Sequence, residues 1–169
     1  TRRRVALHRA LLPIQGLHRL RLPRHPLRAE QHIVHQRALP LLLEKTLATQ
    51  KRAVVLCASE ERLDYLNNTL WTLGRISFIP HGSAKEGMAE DQPVWLSILD
   101  ENPNGAQFLF LTEGATSPSL TSYERCLDIF DGNDPETLAA ARARWKTYKD
   151  AGHTMTYWKQ NDAGGWEKG

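Results

Sequence analysis

The chain has 169 residues and a formal net charge of +3, enough length for one domain with a sizeable core plus an extension. No run of about 18 apolar residues occurs, which excludes a membrane-spanning helix. The charge is uneven: residues 1–37 hold nine Arg against Glu30 alone, and residues 38–169 hold 13 Lys and Arg against 18 Asp and Glu. An acidic body is a poor ligand for duplex DNA, where phosphate neutralisation supplies most non-specific affinity. Cys57 and Cys126 lie far apart in apolar surroundings. They read as buried thiols of a reducing, cytoplasmic compartment, with no disulfide framework and no metal.

Arg, Leu, His and Pro dominate residues 1–36, and Pro13, Pro23 and Pro26 interrupt any helix there. No strand alternation is legible in the segment. It is expected to be disordered, as a basic arm for nucleic acid or an Arg-rich targeting peptide, or to be non-native, through a mis-assigned start or a shifted reading frame. The last is the reading the composition favours, because GC-rich DNA in a wrong frame yields these residue types. The domain proper is placed at 37–169.

From Arg37 the pattern becomes orderly. Leu39, Leu42, Leu43 and Leu47 predict an amphipathic helix entered near Pro40. Residues 52–58, β-branched and almost wholly apolar, predict a strand covered on both faces. Ser59 caps a helix with Glu60 and Glu61 in its first turn, running to about Gly74. Ile76–Ile79 reads as a short strand, 80–93 as a polar loop, and Val94–Leu99 and Gln107–Thr112 as two more strands. A helix is predicted over Ser119–Phe130, with Leu120, Tyr123, Leu127 and Phe130 on one side. Asp134 caps a helix that has Pro135 at its first position and Gly152 at its end. Thr154–Gln160 is the last strand, turning through 161–165 into Trp166. Strands alternating with helices predict a single three-layer α/β domain with a mostly parallel sheet.

Such folds often bind nucleotides, yet neither a phosphate loop nor a dinucleotide fingerprint is present. No nucleophile signature accompanies His81, so a catalytic His81 would need a convergent polar pocket that the sequence does not announce. Asp100, Glu101, Asp131 and Asp134 sit among ordinary turn residues without metal-ligand spacing. No cofactor is expected.

One helix carries an unusual stripe. At helical spacing Leu138, Arg142, Trp145 and Lys149 fall within about 60° of arc. A core stripe would not include two cations, because burying unpaired charge is expensive. A solvated stripe would not centre on Trp. The pattern suits a peptide offering a carboxylate beside an apolar side chain, with Arg142 on the carboxylate and Trp145 walling the pocket. Equally, Trp145 anchors the core edge while Arg142 and Lys149 snorkel. A second patch, Leu70, Trp71, Phe78 and Pro80, is either internal packing or an apolar partner surface.

An ordered series runs through the chain: R-A-L-P-L-L-L-E-K at 37–45, S-E-E-R at 59–62, L-W at 70–71 and S-F-I-P-H-G at 77–82. It continues with Q-P-V-W-L at 92–96, D-E-N-P-N-G at 100–105, F-D-G-N-D at 130–134, R-A-R-W-K at 142–146 and A-G-H at 151–153. As a set it resembles the chi subunit of bacterial DNA polymerase III, in its alphaproteobacterial form, over about residues 37–169. The resemblance implies Rossmann-like topology without a nucleotide site. It implies an accessory subunit without catalysis of its own, which links the clamp-loader complex to the acidic, Phe-terminated tail of single-stranded-DNA-binding protein and meets DNA only through that partner. Carried over residue by residue, Arg142 meets the tail's carboxylate and Trp145 and Phe130 line the pocket. A basic family position falls on Leu138, for which Lys149 compensates. Trp71, Phe78 and Pro80 correspond to the surface for a psi subunit. The family's opening strand is not visible in residues 1–36, so a sheet strand is expected to be missing or replaced. Two other classes stay open: a nucleic-acid-binding module acting through the basic arm, and an α/β enzyme with a site near His81.

Overall fold

The computed structural model describes residues 16–21, 31–72, 78–160 and 166–169. The elements, in chain order, are β1 (Gly16–Arg21), α1 (Gln31–Ala48), β2 (Ala53–Leu56), α2 (Glu60–Thr72), β3 (His81–Ser83), β4 (Val94–Ser97), β5 (Phe108–Thr112), β6 (Arg125–Phe130), α3 (Pro135–Asp150), β7 (Thr154–Gln160) and β8 (Trp166–Lys168). Among the described residues eight strands form one sheet in the order β3-β4-β2-β5-β6-β1-β7-β8. Every pairing is parallel except β7 with β8. This is the mostly parallel α/β architecture the alternation of elements predicts.

Parallel strands are buried on both faces, and the sequence meets that demand with continuous apolar runs. One side chain of each pair goes to each face. Val55, Leu96, Phe110, Leu127 and Ile129 meet Leu39 and Leu43 of α1 and Leu63, Leu66 and Leu70 of α2. Val54, Leu56, Trp95, Leu109, Leu111 and Cys126 form the opposite layer with Leu120, Tyr123 and Tyr148 of α3. Cys57 and Cys126 are both buried and unbridged, and burial pushes the Cys57 thiol up to about 12.

Four sequence expectations need correction. The segment 119–130 is not a helix: a single 3-10 turn at Leu120–Ser122 leads into strand β6. Its apolar spacing fits a helical period, but residues 126–130 are buried without a break, as a central strand requires. A short apolar run does not distinguish the two by periodicity. The strand expected at 76–79 falls partly outside the described residues. Phe78, Ile79 and Pro80 carry no regular structure, and the strand that pairs with β4 is His81–Ser83, in what reads as loop. Helix α1 starts at Gln31, so Pro40 lies inside it. There the ring removes one N–H from the ladder without ending the helix. Finally, β1 stands between β6 and β7, in a segment with no visible strand pattern, and supplies the strand expected to be missing. Residues 1–15 and 22–30, which hold most of the Arg-, Pro- and His-rich segment, lie outside the described residues.

Helix α3 forms where its signals place it. The Asp134 carboxylate accepts from the Thr137 N–H at 2.8 Å, and Pro135 opens the first turn with its missing donor harmless. At the far end Gly152, at φ +87°, lets the His153 N–H reach back to the Tyr148 carbonyl at 3.1 Å, closing a left-handed cap. The Thr137 hydroxyl, and then the backbone donors of the first turn, hold the Asp134 carboxyl below the usual carboxylate range. A depressed folded value means the cap stabilises above the unfolded value near pH 4 and is lost as pH falls through the folded one. Replacing Asp134 by Ala should cost about 1 kcal/mol in urea unfolding at pH 7, and the gap between variant and parent should shrink on acidification.

Candidate protein-interaction site

Helix α3 presents three longitudinal strips. The strip against the sheet consists of Ala141, fully buried, and Tyr148, seven residues on. One flank carries the stripe read from sequence: Leu138 and Trp145 are half-buried, Arg142 and Lys149 exposed. Among the described residues no carboxylate pairs with Arg142 or Lys149. Two cations therefore stand in solvent on either side of an indole set partly into the surface, on a helix fixed at both ends.

The other flank borders a cleft of about 250 Å³ outside the carboxyl ends of β5 and β6. Its walls are Thr137, Ala140 and Arg144 from α3, Phe130 and Asp131 at the end of β6, and Arg62 of α2 facing Glu113 and Gly114. Open α/β sheets characteristically place ligand crevices at this end. Here Glu113, in a left-handed conformation at φ +52°, turns its carboxylate onto the Arg62 guanidinium in a bidentate pair. Arg144 is held from below. Its Nε and Nη2 each donate at 3.1 Å to the carboxylate of Asp128, which is 0% exposed on β6.

The structure brings four of the five tail-binding candidates onto one strip and sets Phe130 apart. Phe130 is 1% exposed and lines the cleft on the opposite flank, so its ring offers a ligand little surface. Neither Asp128 nor Arg144 stands out in sequence reasoning. The only signal is an acid inside the apolar run Cys126–Phe130.

The second patch also forms. Trp71 and Phe78 are 55% and 72% exposed, with ring centroids 6.0 Å apart, and Pro80 is half-buried beside them in the chain. Leu70 points the other way, into the core, and presents nothing to a partner. The imidazole of His81 is buried against Trp71 at 4.9 Å, and its Nδ1 sits 2.7 Å from the Ile79 carbonyl. That environment is a packing site. No cluster of three metal-binding side chains occurs among the described residues, and no described helix is long and apolar enough to cross a membrane.

Comparison with known families adds the deciding observation. Residues 27–156 match the family model of the DNA polymerase III chi subunit, HolC. The chain belongs to the DNA polymerase III chi subunit family. Similar proteins include the probable DNA polymerase III subunit chi of Rickettsia prowazekii (strain Madrid E), 28% identical over 94 residues. That alignment covers 56% of this chain and 57% of the Rickettsia protein, so less than two thirds of that relative is spanned. The DNA polymerase III subunit chi of Escherichia coli (strain K12) is 24% identical over 106 residues, covering 62% of this chain and 71% of the relative. The chi family match begins at residue 27, ahead of the boundary drawn at 37 and just before α1.

Proposed function

We propose that this chain is a non-catalytic adaptor of the DNA polymerase III holoenzyme, joining the clamp-loader complex to single-stranded-DNA-binding protein by gripping that protein's acidic, Phe-terminated tail. Membership of the chi family supports an accessory role in replication, and cytoplasmic location follows from that role. The observation that carries the tail reading is the α3 flank: exposed Arg142 and Lys149 bracket the half-buried Trp145 and Leu138. A carboxylate reaching Arg142 has no carboxylate among the described residues to displace, and an aromatic end group finds an apolar wall one turn away. The Trp71–Phe78 patch supports a second contact, with a clamp-loader or psi-like subunit. Paired, exposed aromatics are the usual anchors of a protein interface, and α2, which carries Trp71, packs in the core layer opposite to the one that Tyr148 of α3 joins.

The test follows a labelled single-stranded oligonucleotide by anisotropy in near-physiological salt. The full chain alone should leave the signal unchanged and should raise it once single-stranded-DNA-binding protein is present. Deleting the partner's acidic tail should abolish that second rise. Direct micromolar binding without the partner, steeply weakened by added salt, would replace the adaptor by a nucleic-acid module acting through the basic arm.

A further inference from the structure

We infer that the buried Asp128–Arg144 pair is a positioning device, which sets the rotation of α3 about its own axis and thereby decides where the Arg142–Trp145 stripe points. The consequence for the tail rests on the reading above; the effect on the helix does not.

Only Ala141 and Tyr148 of α3 are buried, and both lie along one narrow line of the helix. The apolar contact along this line, flanked by the half-buried Leu138 and Trp145, is non-directional and by itself tolerates some rotation of the helix. Arg144 lies between these two anchors, and its planar guanidinium meets the Asp128 carboxylate edge to edge. A bidentate fork satisfies both bonds in one orientation only. Asp128 itself is immobile: it is wholly buried on β6, which is paired on one side by β5 and on the other by β1. The charge is therefore anchored in the most rigid part of the sheet and reaches one turn of the helix.

Stability alone does not account for such a pair. A buried ion pair gives no more stability than well-packed apolar side chains of similar volume, and its attested use is to specify one arrangement among several. Here the arrangement specified is the azimuth of the stripe. Side chains on a binding surface must be held to within about 0.5 Å to act together. At the helix periphery a small roll moves Arg142 and Trp145 further than that.

The experiment compares three full-length variants with the parent. Asp128→Asn with Arg144→Met removes both charges and keeps volume and hydrogen-bonding capacity at 128. Arg144→Lys keeps the charge but replaces the fork by a single point of contact. Arg142→Ala leaves the pair intact. Amide hydrogen exchange reads the positioning itself. In the double variant, and less strongly in Arg144→Lys, exchange across 135–150 should rise about tenfold while that of α2 holds. Unchanged protection of α3 would overturn the inference. Titration of a synthetic acidic peptide ending in Phe reads the consequence. Its affinity should fall about three- to tenfold in the double variant, at a temperature where melting shows both proteins folded. Parent-like affinity in the double variant would also overturn it. Failure of the peptide to bind the parent, or equal binding by Arg142→Ala, sinks the tail reading instead and leaves the exchange data to decide the positioning.

Discussion

Arg144→Ala is expected to destabilise the fold by about 3 kcal/mol, read as a lowered urea midpoint with an unchanged slope. The physical cause is not the lost attraction but what stays behind. Asp128 is 0% exposed, and truncation takes from its buried carboxylate a bidentate pair of charge-assisted bonds that water does not readily replace in the interior. Losing one partner of a buried pair typically costs about 3–5 kcal/mol. The lower end applies because Arg144 sits at the cleft with its side chain 14% exposed, so truncation admits water towards the carboxylate. Asp128→Asn on top of the change at 144 should recover part of the loss, since the buried group at 128 is then neutral. A loss below about 1 kcal/mol in Arg144→Ala would place the pair with exposed salt bridges such as Lys51–Glu124, whose contribution is small.

How much of this was legible in the sequence differs from element to element. Helix α3 was readable at both ends, because Asp134, Pro135 and Gly152 act through local backbone chemistry that needs no tertiary partner. Strands β2, β4 and β5 were readable within a residue or two, as unbroken apolar runs bounded by turns. Strand β6 was not. Asp128 interrupts its apolar run, and the spacing of Leu120, Tyr123, Leu127 and Phe130 imitates a helical face. What holds the segment extended is pairing with β5 and β1, a non-local fact. The same holds for β1, whose placement depends on register with β6 and β7.

The candidate surface shows the same division. The stripe from Leu138 to Lys149 was legible because helix periodicity alone puts its members together. Periodicity does not say which way the helix is rolled, and that is why Phe130, grouped with the stripe by resemblance, ends on the other flank. Arg144, two residues from Arg142, carries no sequence signal of its own. Only the buried carboxylate beneath it separates their roles.

Arg142→Ala tests the proposed tail site with the largest expected effect on binding. Two magnitudes compete. An exposed ion pair contributes about 0–1 kcal/mol, whereas a charge-assisted hydrogen bond that is partly shielded contributes about 1.5–3 kcal/mol. The second should win here, because Trp145 is half-buried one turn from Arg142 and an aromatic end group lying on it excludes water from the adjoining carboxylate. Affinity for an acidic peptide ending in Phe should therefore fall by between roughly tenfold and a hundredfold in calorimetric titration. Folding should hold to within about 0.5 kcal/mol, since no carboxylate among the described residues relies on Arg142. Lys149→Ala should cost less, because an ammonium offers a point charge where the guanidinium offers a fork. The parent's affinity should decline with added salt, and the Arg142→Ala variant should show a shallower decline. Equal affinity in the parent and Arg142→Ala would remove the α3 flank from the tail site and turn attention to the cleft beside Arg144.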